Sequence, residues 1–224
     1  MQLVTSHDMT NAVFPYRAAR EIDIGFARVL CVRITYLGEL GYELYIPTEQ
    51  ATHVYDRIVE TGARFGLRHA GLKSLASLRM EKGYRDYGHD IDNTDSVLEA
   101  GLGFAVDLQK ESGFIGRDAV LAKKAEGPLR RRLVQVLVKD PEPMMFHAEP
   151  VRRDGAAVGY IRAASYGHTL GGAVGLAMVS AGDRAADAKW IESGTWEVEI
   201  AGRTYPAIAS IRPLYDPQMT KIKA

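Results

Sequence analysis

Downstream of Gly127 the chain breaks into short segments of alternating apolar and polar residues: 133–138, 150–153, 157–163, 173–179, 194–200 and 203–212. Turn pairs lie between them, Asp154-Gly155, Ser193-Gly194 and Ala201-Gly202, of the kind that reverses a chain between paired strands. Short strands in such a series, with no helix between them, predict a small antiparallel barrel or sandwich. This pattern limits the fold more than any other in the chain, and it also divides it. The character changes around 127–132, which separates a first part, 1–127, from a barrel part, 128–224.

The first part mixes helix and strand signals, so the whole reads as α+β. Residues 28–46 read as a hairpin. Val32, Ile34 and Tyr36 alternate before a turn punctuated by Gly38 and Gly41, and Leu40, Tyr42, Leu44 and Ile46 alternate after it. Glu43 and Tyr45 fall on the other face, where a carboxylate inside so apolar a strand needs a partner. Residues 48–66 read as a helix with a stripe of Ala51, Val54, Tyr55, Ile58 and Val59, ending at Gly66. A second helix is expected over about 70–83, with Leu72, Leu75 and Ala76 as its apolar stripe. Arg79 shares that stripe, and an arginine facing a core is expected to pair with an acid, a carbonyl or a ligand. Residues 97–108 read as a buried strand, and 117–124 as a short helix.

Bulk properties exclude several function classes. Lys plus Arg and Asp plus Glu both number 28, so the neutral chain has no electrostatic footprint for nucleic acid or anionic lipid. A single cysteine, Cys31, excludes an internal disulfide framework and a cysteine-based zinc site. No apolar run approaches the ~18 residues of a membrane span, and the first residues lack the pattern of a signal peptide. The expectation is a cytoplasmic protein without a membrane or nucleic-acid partner. The opening residues have the look of chain interior rather than of a natural terminus.

Familiar motifs fail on spacing. The histidines do not fall at the spacing of a zinc helix, and no metal site is expected. Asp90, Asp92 and Asp95 resemble the start of a calcium loop, but its sixth and twelfth positions, which require Gly and Glu, are Asp95 and Gly101. No dinucleotide fingerprint, phosphate loop or nucleophile elbow is present. What remains is a cluster of tyrosines and charged groups: Tyr36, Glu43, Arg79, Glu81, Tyr84 and Tyr87. The residues alone leave two readings open. One is a folded domain with a buried Glu–Arg pair and tyrosines capping its core. The other is a site for a planar heteroaromatic ligand, flanked by tyrosines and held by a carboxylate at its N–H edge.

Several segments resemble the glycine-cleavage T-protein (aminomethyltransferase) family: Arg33-Ile-Thr-Tyr-Leu-Gly-Glu-Leu-Gly-Tyr-Glu-Leu-Tyr, Ser77-Leu-Arg-Met-Glu-Lys-Gly-Tyr-Arg, Glu99-Ala-Gly-Leu-Gly-Phe-Ala-Val, Phe114-Ile-Gly-Arg-Asp-Ala and Arg212-Pro-Leu-Tyr-Asp-Pro. The hairpin and Glu-Lys-Gly-Tyr-Arg forms are most similar to the tetrahydrofolate domain at the C-terminal end of dimethylglycine and sarcosine dehydrogenases. The resemblance implies part of a folate-binding domain followed by a C-terminal β-barrel. It implies that Tyr36 lies against the folate, that Glu43 accepts hydrogen bonds from the pterin edge, and that Tyr215 completes the pocket. Arg79 and Glu81 match positions read first as structural pairing. Leu75, four residues before Arg79, stands where the T-protein proper has an arginine, which favours the dehydrogenase branch.

The resemblance further implies that the family's catalytic aspartate lies upstream of this chain, so no catalytic residue is assigned here, and Asp8 does not take that role. FAD would belong to an N-terminal flavin domain outside this chain. In the whole enzyme the flavin part would oxidise an N-methyl amine, and the folate part would capture the one-carbon unit on tetrahydrofolate. The chain alone is expected to bind folate at best, with self-association through a truncated sheet edge. The alternatives are a stand-alone aminomethyltransferase or folate-dependent demethylase, and a non-catalytic folate-binding or assembly module.

Overall fold

A computed structural model describes all 224 residues. The chain packs as two compact units, Met1–Leu75 with Gln218–Ala224, and Ala76–Pro217.

In the first unit, β1 (Ala19–Ile24), β2 (Ala27–Val32) and β3 (Glu43–Tyr45) form an antiparallel sheet in that order. Helix α1 (Ala51–Gly62), extended by 3-10 turns at both ends, covers the expected 48–66, and Gly66 ends it at φ +69°. The core gathers Phe14, Ile22, Ile24, Ala27, Val29, Cys31 and Val54. Along α1 the expected stripe narrows to buried Val54 with half-buried Ile58 and Val59; Ala51 and Tyr55 are exposed.

The hairpin over 28–46 is a true pairing, Val32 opposite Glu43 and Leu30 opposite Tyr45, but its strands are shorter than expected. Residues 33–42 form an irregular turn rather than strand. The inward parity is also shifted by one residue. Ala27, Val29 and Cys31 face the core, and Arg33 continues that series, whereas Leu30 and Ile34 are exposed. A one-residue error in register exchanges the two faces of a strand. Arg28 on the outer face and Ala27, Val29 and Cys31 on the inner one decide which is buried.

In the second unit the helix expected over 70–83 is α2 (Leu72–Glu81), whose residues from Ala76 onward belong there. Its expected apolar stripe is corrected. Leu72 is 81% exposed, and the buried positions are Ser77, Arg79, Met80 and Glu81. The strand expected over 97–108 is absent. That stretch is a chain of turns closed by local bonds, Ala100 N–H to Ser96 O and Leu102 N–H to Val97 O, ending in a 3-10 turn with Phe104 exposed. Helix α3 (Arg117–Ala125) lies where a helix was expected.

The six barrel strands are β4 (Arg131–Val138), β5 (Pro150–Arg153), β6 (Ala156–Gly167), β7 (Gly172–Ser180), β8 (Trp196–Ile200) and β9 (Arg203–Ser210). They close in the order β4-β7-β6-β5-β8-β9, every pairing antiparallel. Asp154-Gly155 and Ala201-Gly202 make the expected tight reversals, each with two successive positive φ values: +51° and +79°, +49° and +75°. Nearly all of β7 is buried because it is covered twice. Ala173, Ala177 and Val179 enter the barrel core, while Val174, Leu176 and Met178 pack with Met80, Ile91, Ala100 and Leu133. One helix was not expected among the strands: the short α4 (Ala188–Glu192), capped by the Asp187 carboxylate accepting from Trp190 N–H. No helix is long and apolar enough to cross a membrane.

Candidate functional site

The turn 33–42 presents Tyr36 half-buried within the first unit. Thr35 Oγ1 accepts from Leu37 N–H at 3.0 Å, and Gly38 takes φ +82°, which glycine adopts without strain. At Gly41 a Cβ would stand 2.9 Å from the Ile34 carbonyl oxygen, so only glycine permits the two sides of the turn to approach this closely. Tyr42 then stacks on Phe14, with ring centroids 6.1 Å apart and planes 24° apart.

Glu43 opens β3 on its solvent side. This corrects the expectation of a carboxylate buried in an apolar strand. The alternation assigned it the face opposite Leu44 correctly, but that face is open. Glu43 Oε2 accepts the Tyr45 O–H at 2.9 Å, and this bond with the nearby negative charge raises the Tyr45 phenol above its ordinary pKa. The exposed carboxylate retains acceptor capacity for N–H donors. An ionised carboxylate accepts only, through about four lone-pair sites, so it suits a ligand edge carrying two adjacent N–H groups. Cys31, buried in β2, is no nucleophile; burial pushes its thiol up to about 11.

The other expected residues lie in the second unit. Arg79 is paired, as a core-facing arginine should be, but not with Glu81. Its guanidinium grips the Asp90 carboxylate through both terminal nitrogens, Nη2 to Oδ1 at 3.2 Å, and donates to the Tyr84 carbonyl at 3.0 Å. Glu81, 2% exposed, accepts the backbone N–H groups of Thr169 and Leu170 at 2.7 and 2.9 Å and so holds the β6–β7 loop. The Glu–Arg pair anticipated from sequence is therefore replaced by two separate structural locks. Tyr84 is half-buried; Tyr87 is 71% exposed and makes an isolated bridge to Ile91. Tyr215 is half-buried, and its carbonyl lies 3.5 Å from Lys82 Nζ, which also pairs with the Asp216 carboxylate at 3.1 Å.

Four residues that matter here escaped the sequence reading: Asp90, Lys82, Gln135 and Arg33. Gln135 accepts from Leu214 N–H and donates to the carbonyls of Met80 and Glu81. Nothing in spacing identifies Asp90 among neighbouring acids. Arg33 alone carried a signal, because it continues the 27-29-31 series that faces the core.

The sequence matches the family described as the GCVT N-terminal domain over residues 1–110 and the glycine cleavage T-protein C-terminal barrel domain over 131–216. It is 40% identical over 220 residues to a 4-methylaminobutanoate oxidase (formaldehyde-forming) of Paenarthrobacter nicotinovorans, covering 98% of this chain and 26% of that protein. It is 34% identical over 226 residues to the mitochondrial sarcosine dehydrogenase of Mus musculus, covering 100% of this chain and 24% of that protein. The chain thus spans about a quarter of the length of these relatives. The fold is shared with the crystal structure of the glycine cleavage system aminomethyltransferase T from Bartonella henselae, at TM-score 0.72 and 22% identity, over 88% of this chain and 52% of that one.

Proposed function

The chain belongs to the glycine-cleavage T-protein family, and from that premise we propose that its turn 33–43 binds a reduced folate. The observation that carries the reading is Glu43. Its carboxylate opens a strand at the end of a glycine-shaped turn, is exposed to solvent, and is steadied by one phenol. A pterin edge offers the adjacent N–H donors such an acceptor prefers. Tyr36, the fourth residue of the turn, supplies the half-buried aromatic surface beside it. When bound, tetrahydrofolate would supply the nitrogen nucleophiles for one-carbon capture; the residues of this turn bind and orient it.

Tyr215 is proposed as a further folate contact, and Arg79, Glu81, Tyr84 and Tyr87 as structural or secondary positions. The hydrogen-bonding of Arg79 and Glu81 supports the structural role. No residue of this chain is assigned the proton transfer. For the longer protein we propose oxidation of an N-methyl amine by an FAD-bearing part, a step in keeping with the names of the oxidase and dehydrogenase relatives, followed by transfer of the one-carbon unit to tetrahydrofolate. The division into a folate-domain part, 1–127, and a barrel, 128–224, is supported by the interval 111–130 left between the two family matches. Self-association through an outer strand of the three-stranded sheet stays part of the proposal.

Calorimetric titration with 5-formyltetrahydrofolate, a reduced folate stable in air, tests the binding claim. Saturable 1:1 binding that Glu43→Gln weakens at least tenfold is expected. Binding indifferent to that change would sink the assignment of Glu43.

A further inference from the structure

Arg33 has 1% exposure and is among the largest fully buried side chains, yet no Asp or Glu side chain pairs with it. Its Nη1 donates to the Phe14 carbonyl at 2.8 Å and its Nη2 to the Ala224 carbonyl oxygen at 2.7 Å, and its Nε has no partner. Burying a guanidinium without an Asp or Glu partner is costly, and a simple core position would be filled more stably by an apolar side chain. What Arg33 does that an apolar residue cannot is span two backbone segments from the first position of the turn 33–42.

The other end of that turn is held by the same residue. Phe14 is fully buried; its carbonyl takes Arg33, and its ring stacks on Tyr42. The interior of the turn has the Leu37–Thr35 bond and the Ile34–Gly41 approach to shape it. Its two ends meet at Phe14. The segment Gln218–Ala224 completes the anchor: Ile222 is 1% exposed, the Lys223 carbonyl accepts from Asn11 Nδ2 at 3.2 Å, and Ala224 meets Arg33.

We propose that Arg33 is a positioning residue for the ligand-contacting turn, acting through Tyr36 and Glu43 from a Phe14 anchor that the segment 218–224 closes. This rests on the folate reading above. Arg33 does not touch the ligand; it fixes where the turn points.

The test uses the full chain with Arg33→Lys, Arg33→Met and Glu43→Gln. A lysine keeps the charge but reaches one carbonyl, not both, so Arg33→Lys folds even if Arg33→Met does not. Two readouts are taken: affinity for 5-formyltetrahydrofolate, and hydrogen exchange of peptides over 34–43 and over β1–β2. Arg33→Lys is expected to weaken binding about tenfold and to speed exchange in 34–43 while leaving β1–β2 protected. Glu43→Gln is expected to weaken binding without changing exchange. A purely structural role would speed exchange across the whole sheet together, and that result overturns the inference. Binding lost in Glu43→Gln but unchanged in Arg33→Lys overturns it alone. Absence of binding by the wild-type chain overturns the folate reading and, with it, the positioning claim.

Discussion

The barrel and the stretch 76–108 belong to one unit and are held together by opposite means. The barrel closes its own ladder, so its backbone groups are paired and its interior is filled by Val134, Val136, Val151, Ile161, Ala177 and Val198. The stretch 76–108 has no sheet to join. Beside the apolar packing of Met80, Ile91 and Ala100, its fixed points are charged or polar side chains: Arg79 on Asp90, Glu81 on two amides, Lys82 on Asp216, and Gln135 on the carbonyls of Met80 and Glu81. The turn 33–42 of the first unit repeats the second solution on a smaller scale, with Arg33 between two carbonyls. Where the ladder stops, buried polar side chains supplement local turn bonds, because irregular backbone leaves donors and acceptors that no ladder pairs.

Breaking each kind of support separately tests that contrast. Trp190 and Trp196 both lie in the second unit, so tryptophan fluorescence during denaturant unfolding reads it directly. The largest loss is expected from Arg79→Met, which leaves Asp90 buried without its cation, at about 3–5 kcal/mol. Ile161→Ala empties part of the barrel core and should cost about 2–4 kcal/mol, without change in the transition's slope. Glu81→Gln keeps one acceptor oxygen but removes its charge from two hydrogen bonds; a loss of about 1–2 kcal/mol is expected. The smallest effect has the opposite sign. Ala201 sits at φ +49°, where a Cβ is strained, so Ala201→Gly should stabilise by up to about 1 kcal/mol. If Arg79→Met costs less than Ile161→Ala, the buried ion pair is not the stretch's principal lock.

The same contrast explains what the sequence revealed. The six barrel strands were legible because short apolar segments and turn chemistry agree over most of Leu133 to Ser210, with β7 a continuous apolar run because it is buried on both sides. The stretch 97–108 was misread because an apolar run looks alike in a buried strand and in packed turns, and Gly101 at φ +70° settles the matter only in three dimensions. Helix α2 was placed correctly but its buried face was not, since that face carries Ser77, Arg79 and Glu81 rather than leucines. In the hairpin, the outward side of Glu43 followed from alternation, whereas the inward course of Arg33 was hidden by a one-residue shift. Partners distant in sequence, such as Glu81 with Thr169 and Leu170, have no local signature at all.

The central claim is that the turn 33–43 binds a reduced folate through Glu43, with Tyr36 beside it. The most direct measurement is calorimetric titration of the wild-type chain, Glu43→Gln and Tyr36→Ala with 5-formyltetrahydrofolate. Glu43→Gln puts an amide NH2 donor in place of one acceptor oxygen, so affinity should fall at least tenfold, and Tyr36→Ala should also weaken binding. A wild-type chain that gives no saturable heat, or variants that bind as the wild type does, would contradict the account.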